Sequence, residues 1–290
     1  MSSLFSGYEN LIGGFSAGFV STVVCHPLDL LKIRYSANEG NALRPQYSSY
    51  MHAARSIVAA EGVRGIYQGL TPNIIGATLS WGLYFQFYYT IRSKVTLFPD
   101  KFQSVNDLIT GILSGSAVMC FTNPIWVTKT RLCLQYETEG PKKYHGMVDC
   151  MKQIMKNEGI NGLYKGFIPG LLGTTHGAVQ FMAYNYLKDR KYAKHNIPKD
   201  SKLSTVDVLT FSILSKVFAT TTTYPYQVLR TRLQDQHVKY NGVVDCLKAT
   251  VKGEGVSGLY KGMMMANIRV LPAAMVTFVT YENVKHFLAN

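Results

Sequence analysis

The chain has 290 residues and a formal net charge of +13, with a mean hydropathy of +0.03. Near-zero hydropathy alone fits a soluble protein, yet three runs, 65–91, 108–128 and 166–187, contain no Asp, Glu, Lys or Arg, and each exceeds the roughly 20 residues that span a bilayer core. A soluble basic domain does not carry such runs. The positive charge is therefore assigned to anionic lipid headgroups and an anionic cargo, and nucleic acid is excluded as a partner.

In chain order, a first long helix is predicted over 9–36, carrying Pro27-Leu-Asp29-Leu-Leu-Lys32-Ile-Arg34 near its end. A polar loop at 36–50 follows, then a short helix ending in Glu61-Gly62 and Gly69, then a second long helix over 71–94. The next helix, 105–132, carries Pro124-Ile-Trp126-Val-Thr-Lys129-Thr-Arg131. It is followed by a loop at 136–144, by Glu158-Gly159 with Gly166, and by a helix over 168–190. The third set is 205–233 with Pro225-Tyr-Gln227-Val-Leu-Arg230-Thr-Arg232, then Glu254-Gly255 with Gly262, then 266–287.

One pattern at a fixed period means one structural unit repeated. The predicted fold is an all-α membrane protein of six transmembrane helices in three pseudo-symmetric repeats, 1–98, 99–196 and 197–290, with both termini on one side. Pro27, Pro124 and Pro225 each remove a helical hydrogen bond and kink their helix. Three at equivalent positions predict a constriction where three helices bend inward. Gly14 with Gly18 and Gly111 with Gly115 have the small-residue spacing of closely packed membrane helices. The five cysteines show neither disulfide nor metal-ligand spacing, so free thiols and no metal site are expected. The N-terminus lacks signal-peptide and transit-peptide character, so any targeting information is expected to be internal.

Two features point to a cargo. Lys216 is the one charged residue in the stretch 208–229, and a charge inside a span marks a functional site or a structural pairing. It lies three helical turns before Gln227, on the same face. His176, Gln180 and Tyr184 form a stripe at four-residue spacing, as do Gly76, Ser80 and Tyr84. Both stripes offer stacking faces and hydrogen-bond groups to a ring. An enzyme would need a metal cluster, an activated nucleophile or an acid–base pair, and none is evident. A non-transporting receptor or channel is the other reading.

The threefold Pro-x-acid-x-x-base-x-base pattern with its trailing Glu-Gly resembles the signature of the mitochondrial carrier family. The resemblance covers essentially the whole chain. It implies a monomeric carrier of the mitochondrial inner membrane, signature motifs facing the matrix, with one central site of alternating access. It implies no bound cofactor and suits cardiolipin at the basic helix ends, among them Lys142, Lys143, Lys188, Arg190, Lys191 and Lys194. Trp126 and Gln227 stand where the family has acids. That departure is similar to the subgroup carrying flavin, folate, pyrimidine nucleotides and nicotinamide dinucleotide. The expected cargo is an anionic ring-bearing cofactor, FAD first, with folate or a nucleotide as alternatives.

Residue by residue, the resemblance implies a matrix gate of Asp29 with Lys129, Trp126 with Arg230 and Gln227 with Lys32. The brace positions nine residues after each proline are Ser36, Cys133 and Gln234, so Gln234 is the surviving glutamine. A cytoplasmic gate is implied at Arg92, Lys188, Glu282 and Lys285, with Glu282 partnering Arg92. The cargo-contact positions are Gly76, Gly173 and Arg269. Arg269 could fork around a phosphate or carboxylate, or reach headgroups from a helix end. With Lys216, His176, Gln180 and Tyr84 they form the expected cargo site.

Overall fold

A computed structural model describes residues 9–39, 45, 47, 49–94, 103–136, 143–195 and 203–289. Lys142, segment 1–8 and much of the polar loops predicted over 36–50 and 136–144 lie outside the described residues. The helices are α1 Glu9–Ala37, α2 Tyr50–Gly65, α3 Leu70–Lys94, α4 Gln103–Cys133, α5 Met147–Leu163, α6 Phe167–Gly173, α7 His176–His195, α8 Thr205–Gln234, α9 Val243–Glu254, α10 Met263–Ile268 and α11 Val270–Ala289. A 3-10 turn, Val256–Tyr260, separates α9 from α10.

Six spans follow: α1, α3, α4, α6 with α7, α8, and α10 with α11. The stretches Ile12–Ala37, Val105–Cys133 and Val256–Phe287 are long and apolar enough in themselves to cross a membrane. The other spans mix apolar outward residues such as Trp81, Met182 and Phe218 with polar ones such as Gln180, Ser212 and Lys216. That mixture is what a helix with one face in lipid and one in water requires.

Two spans predicted as continuous are broken. Between α6 and α7 the hydroxyls of Thr174 and Thr175 each donate to the carbonyl three residues back, Leu171 and Leu172, at 2.7 Å. Such local bonds compete with the helical ladder. Between α10 and α11 the break falls at Arg269, and Pro272 has no N–H for the Ile268 carbonyl. Pro27, Pro124 and Pro225 do lie inside α1, α4 and α8. The Cys120 carbonyl, left without a partner by Pro124, accepts from the Tyr164 hydroxyl at 2.7 Å.

The tightest packing is α1 on α11, α3 on α4 and α7 on α8, so each tight pair joins two repeats. Gly14 and Gly18 do not mediate it. A Cβ on either would meet nothing within 4 Å, whereas one on Gly13 would lie 3.1 Å from the Tyr281 ring. The apolar core sits at the signature end, where short helices pack on long ones. Leu30 and Leu31 of α1 cluster with Ala53 and Ile57 of α2. Val127 of α4 clusters with Cys150 and Ile154 of α5, and Leu229 of α8 with Cys246 of α9. All five cysteines are free thiols. Burial pushes the Cys150 and Cys246 thiols up to about 12, which leaves them inert.

A collar of arginines locks the repeats together there. Arg34, Arg131 and Arg232 are each 1% exposed. Each pairs with the acid of its own repeat: Arg34 with Glu61 at 2.8 Å, Arg131 with Glu158 at 2.5 Å and Arg232 with Glu254 at 2.9 Å. Each also donates its Nε to a carbonyl of the next repeat: Arg34 to Cys133, Arg131 to Gln234 and Arg232 to Ser36, at 3.0, 3.2 and 3.1 Å. The ring of contacts is closed, 1 to 2 to 3 to 1. Hydrogen bonds from Arg131, with help from Lys165, hold the Glu158 carboxyl down at about 2.

The trailing glycines fit the same collar. Gly69, Gly166 and Gly262 have φ of 78°, 71° and 83°, a left-handed conformation that Gly adopts without strain. A Cβ there would lie 3.1, 2.9 and 2.8 Å from the carbonyl oxygens of Lys129, Arg230 and Lys32, each in the following repeat. No larger residue fits either the backbone or the space.

Candidate functional site

Two residues before each collar arginine lies a gate base, and here the threefold symmetry fails. Lys129 Nζ lies 3.7 Å from Asp29 and 5.3 Å over the Trp126 ring. Lys32 Nζ donates to Gln227 Oε1 at 2.6 Å. Arg230 does not meet Trp126 as the sequence led us to expect. Its Nε and Nη2 are buried without hydrogen-bond partners. Trp126 packs instead beside Gly76, whose added Cβ would lie 3.4 Å from the indole. The cation over Trp126 is thus Lys129, a contact of roughly 0.5–2 kcal/mol.

Gln234 does not brace a gate pair. Its Oε1 accepts from Thr130 at 2.7 Å and its Nε2 donates to the Lys165 carbonyl at 3.4 Å. The three brace positions, Ser36, Cys133 and Gln234, all pack on the trailing glycines Gly262, Gly69 and Gly166. They belong to the collar.

Above the gate opens a cavity of about 870 Å³, walled by α7, α8 and α11 and floored by α1 and α8. Lys216, His176, Gln180 and Arg269 line it together with Asp29, Lys32 and Gln227. Four carry or can carry positive charge, against one carboxylate. His176 shares a 2.9 Å hydrogen bond between its Nδ1 and Thr223, which fixes its ring. Arg269 Nε lies 3.0 Å from Asp29 Oδ1, although its N–H is not aligned for a hydrogen bond. No motif spacing in the sequence signals that pair, which joins the first repeat to the third.

The other expected contact positions lie elsewhere. Gly76 is packed against Ile125 and Trp126 of α4, so it serves helix packing and not the cavity. Gly173 ends α6 with open space around it and is not in this cavity's wall. Tyr84 lines a second cavity of about 610 Å³ between α3, α4 and α7.

At the terminal end the expected ion pair is not made. Arg92 pairs with Asp107 at 3.4 Å instead of Glu282, which is exposed. Lys188 and Lys285 lie over the rings of Tyr192 and Tyr281, at 5.6 and 5.9 Å. The contacts between repeats are thus denser at the signature end than among the described residues of the terminal end.

Comparison with known proteins decides the class. The mitochondrial carrier protein pattern matches residues 4–97, 100–195 and 201–290. This chain belongs to the mitochondrial carrier family. It is a membrane transporter, not an enzyme, and carriers of this family need no bound cofactor. The chain is 37% identical to "Folate transporter 1, chloroplastic" of Arabidopsis thaliana, over 97% of this chain and 96% of that protein. It is 32% identical to the mitochondrial FAD carrier protein of Saccharomyces cerevisiae, over 97% of each. It is 34% identical to "Nicotinamide adenine dinucleotide transporter 2, mitochondrial" of Arabidopsis thaliana, over 96% of this chain and 79% of that protein.

Proposed function

We propose that this carrier moves an anionic ring-bearing cofactor, FAD first and tetrahydrofolate next, across the mitochondrial inner membrane by alternating access. The carrying observation is Lys216, an ammonium with no ion-pair partner among the described residues, on the wall of the large cavity in a span with no other charge from 208 to 229. A cation in that setting is costly unless an anion meets it. The diphosphate of FAD and the glutamate carboxylates of folate both supply one. Relatives named for folate, FAD and nicotinamide adenine dinucleotide support a large cofactor as cargo.

Arg269 links cargo to gate. It sits on the cavity wall and touches Asp29, which also holds Lys129. An entering phosphate or carboxylate competes with Asp29 for Arg269. Once Arg269 turns to the cargo, Asp29 keeps only its 3.7 Å contact to Lys129, and the floor opens more easily. The carrier acts as a monomer in this reading, with anionic lipid such as cardiolipin at its basic helix ends.

The test is uptake of labelled FAD and labelled tetrahydrofolate, side by side, into liposomes containing the purified protein. Saturable uptake of FAD that excess folate leaves unchanged makes this a flavin carrier. The reverse makes it a folate carrier, and mutual competition means one site for both. Uptake of nicotinamide adenine dinucleotide or pyrimidine nucleotides alone would sink the assignment. Lys216→Ala is expected to cut uptake at least tenfold while the protein keeps its melting temperature. Normal transport by that variant removes Lys216 from the site.

A further inference from the structure

The second cavity, about 610 Å³ between α3, α4 and α7, is chemically unlike the first. Its α3 wall is aromatic: Tyr84 and Tyr88 stack with ring centroids 6.0 Å apart at 26°, and Phe181 of α7 faces them across the space. Its α4 and α7 walls include Gly111, Gly115 and Gly177. Gly115 seats Thr174, from which an added Cβ would lie 3.4 Å, but Gly111 and Gly177 are not packed by a backbone. A Cβ on Gly177 would meet nothing within 4 Å, and one on Gly111 would meet only the Tyr84 hydroxyl, at 3.3 Å. The space their missing side chains leave is part of the cavity. The charged residue of the wall is Asp107, whose Oδ1 accepts from the Tyr88 hydroxyl at 3.3 Å.

The first cavity thus presents bases and the second presents aromatic faces with a carboxylate. A polyanion is drawn to the first, because Asp107 of the second is already paired with Arg92 at 3.4 Å and that wall carries no base. A planar ring suits the second, where flat walls accept a π-face. A smaller pocket joins them around α7. It shares Gln180 and Ser212 with the first cavity and Gly177 and Phe181 with the second.

We propose that the fused ring of the cargo binds between Tyr84, Tyr88 and Phe181 in the slot left open by Gly111 and Gly177, while its anionic end lies at Lys216. The proposal rests on the cofactor-carrier reading and adds to it an orientation and a ring site.

The test uses the full-length protein with the exposed Cys120 replaced by Ser and Gly177→Cys introduced, a thiol that nothing in the structure crowds. N-ethylmaleimide labelling of that thiol is followed in the presence of FAD, of lumiflavin (the ring without phosphate) and of inorganic pyrophosphate (the anion without ring). FAD and lumiflavin are expected to slow labelling at least tenfold, and pyrophosphate less than twofold. Equal protection by pyrophosphate, or none by lumiflavin, overturns the ring site. Uptake of FAD with unchanged Gly177→Cys labelling overturns the ring site and leaves the cargo reading standing. Uptake of neither FAD nor tetrahydrofolate removes both. If Gly177→Cys does not fold, Ala178→Cys, the next residue of the same wall, carries the same measurement.

Discussion

The collar and the gate lie on the same three helices, two residues apart, and they differ in kind. Arg34, Arg131 and Arg232 have the same two types of partner in every repeat. Lys32, Lys129 and Arg230 have three different ones: an amide, a carboxylate with an indole, and none. The collar joins the repeats and tolerates no variation. On the alternating-access reading proposed above the gate parts, and the unequal contacts would let it part unevenly, with the Arg230 corner held least. Symmetry in this chain marks what holds the molecule together, and broken symmetry marks what moves or binds.

The largest effect should come from breaking the collar. Glu61→Ala leaves Arg34 buried without its carboxylate, since both side chains are almost wholly enclosed, 0% and 3% exposed. Losing one partner of a buried pair costs about 3–5 kcal/mol. Thermal unfolding of the purified protein should show a large fall in melting temperature. A fall no greater than that of an exposed substitution would mean that water reaches Arg34 and that the collar is not the joint described here.

A middling effect, of opposite sign, should come from evening out the gate. Gln227→Glu keeps the shape of the side chain and turns the 2.6 Å bond from Lys32 into an ion pair. The closed signature end is stabilised, because a neutral acceptor for the Lys32 ammonium becomes a charged one. Melting temperature should rise and maximal uptake rate should fall several-fold. A faster, less stable variant contradicts the gate argument. The corresponding change at Trp126 is a poorer probe, because the indole packs against Gly76 and its removal leaves a void.

The collar and the repeat architecture were legible in the sequence because they are written three times. Each Arg, Glu and Gly of the signature recurs at one spacing, and recurrence exposes them even without knowing what they touch. The gate was legible only in part. Asp29 near Lys129 and Lys32 near Gln227 were implied by the family resemblance, and the structure has both contacts. That Trp126 turns to Lys129, leaving Arg230 alone, depends on side-chain packing at one corner. Arg269 near Asp29 is a contact between the first and third repeats that no motif spacing signals, and Thr174 and Thr175 break the fourth span in a way that hydrophobic periodicity does not reveal. Gly111 and Gly115 illustrate the same limit. Their spacing reads as helix packing, and the structure puts them on the wall of a cavity.

The smallest effect concerns the terminal end, where the comparison with the gate can be sharpened. Glu282 is exposed and Arg92 is held by Asp107 at 3.4 Å, with side chains 47% and 39% exposed. If Glu282 acts, it acts only when the terminal end closes and Arg92 leaves Asp107 for it. Glu282→Gln should therefore leave the melting temperature of the conformer described here unchanged. It should weaken the closed terminal layer by roughly 0.2–1 kcal/mol, the worth of an exposed pair. That corresponds to a change in uptake rate of at most about fivefold. A lowered melting temperature with unchanged uptake would place Glu282 in a static contact of the present state and would leave the terminal end without an ion-pair gate.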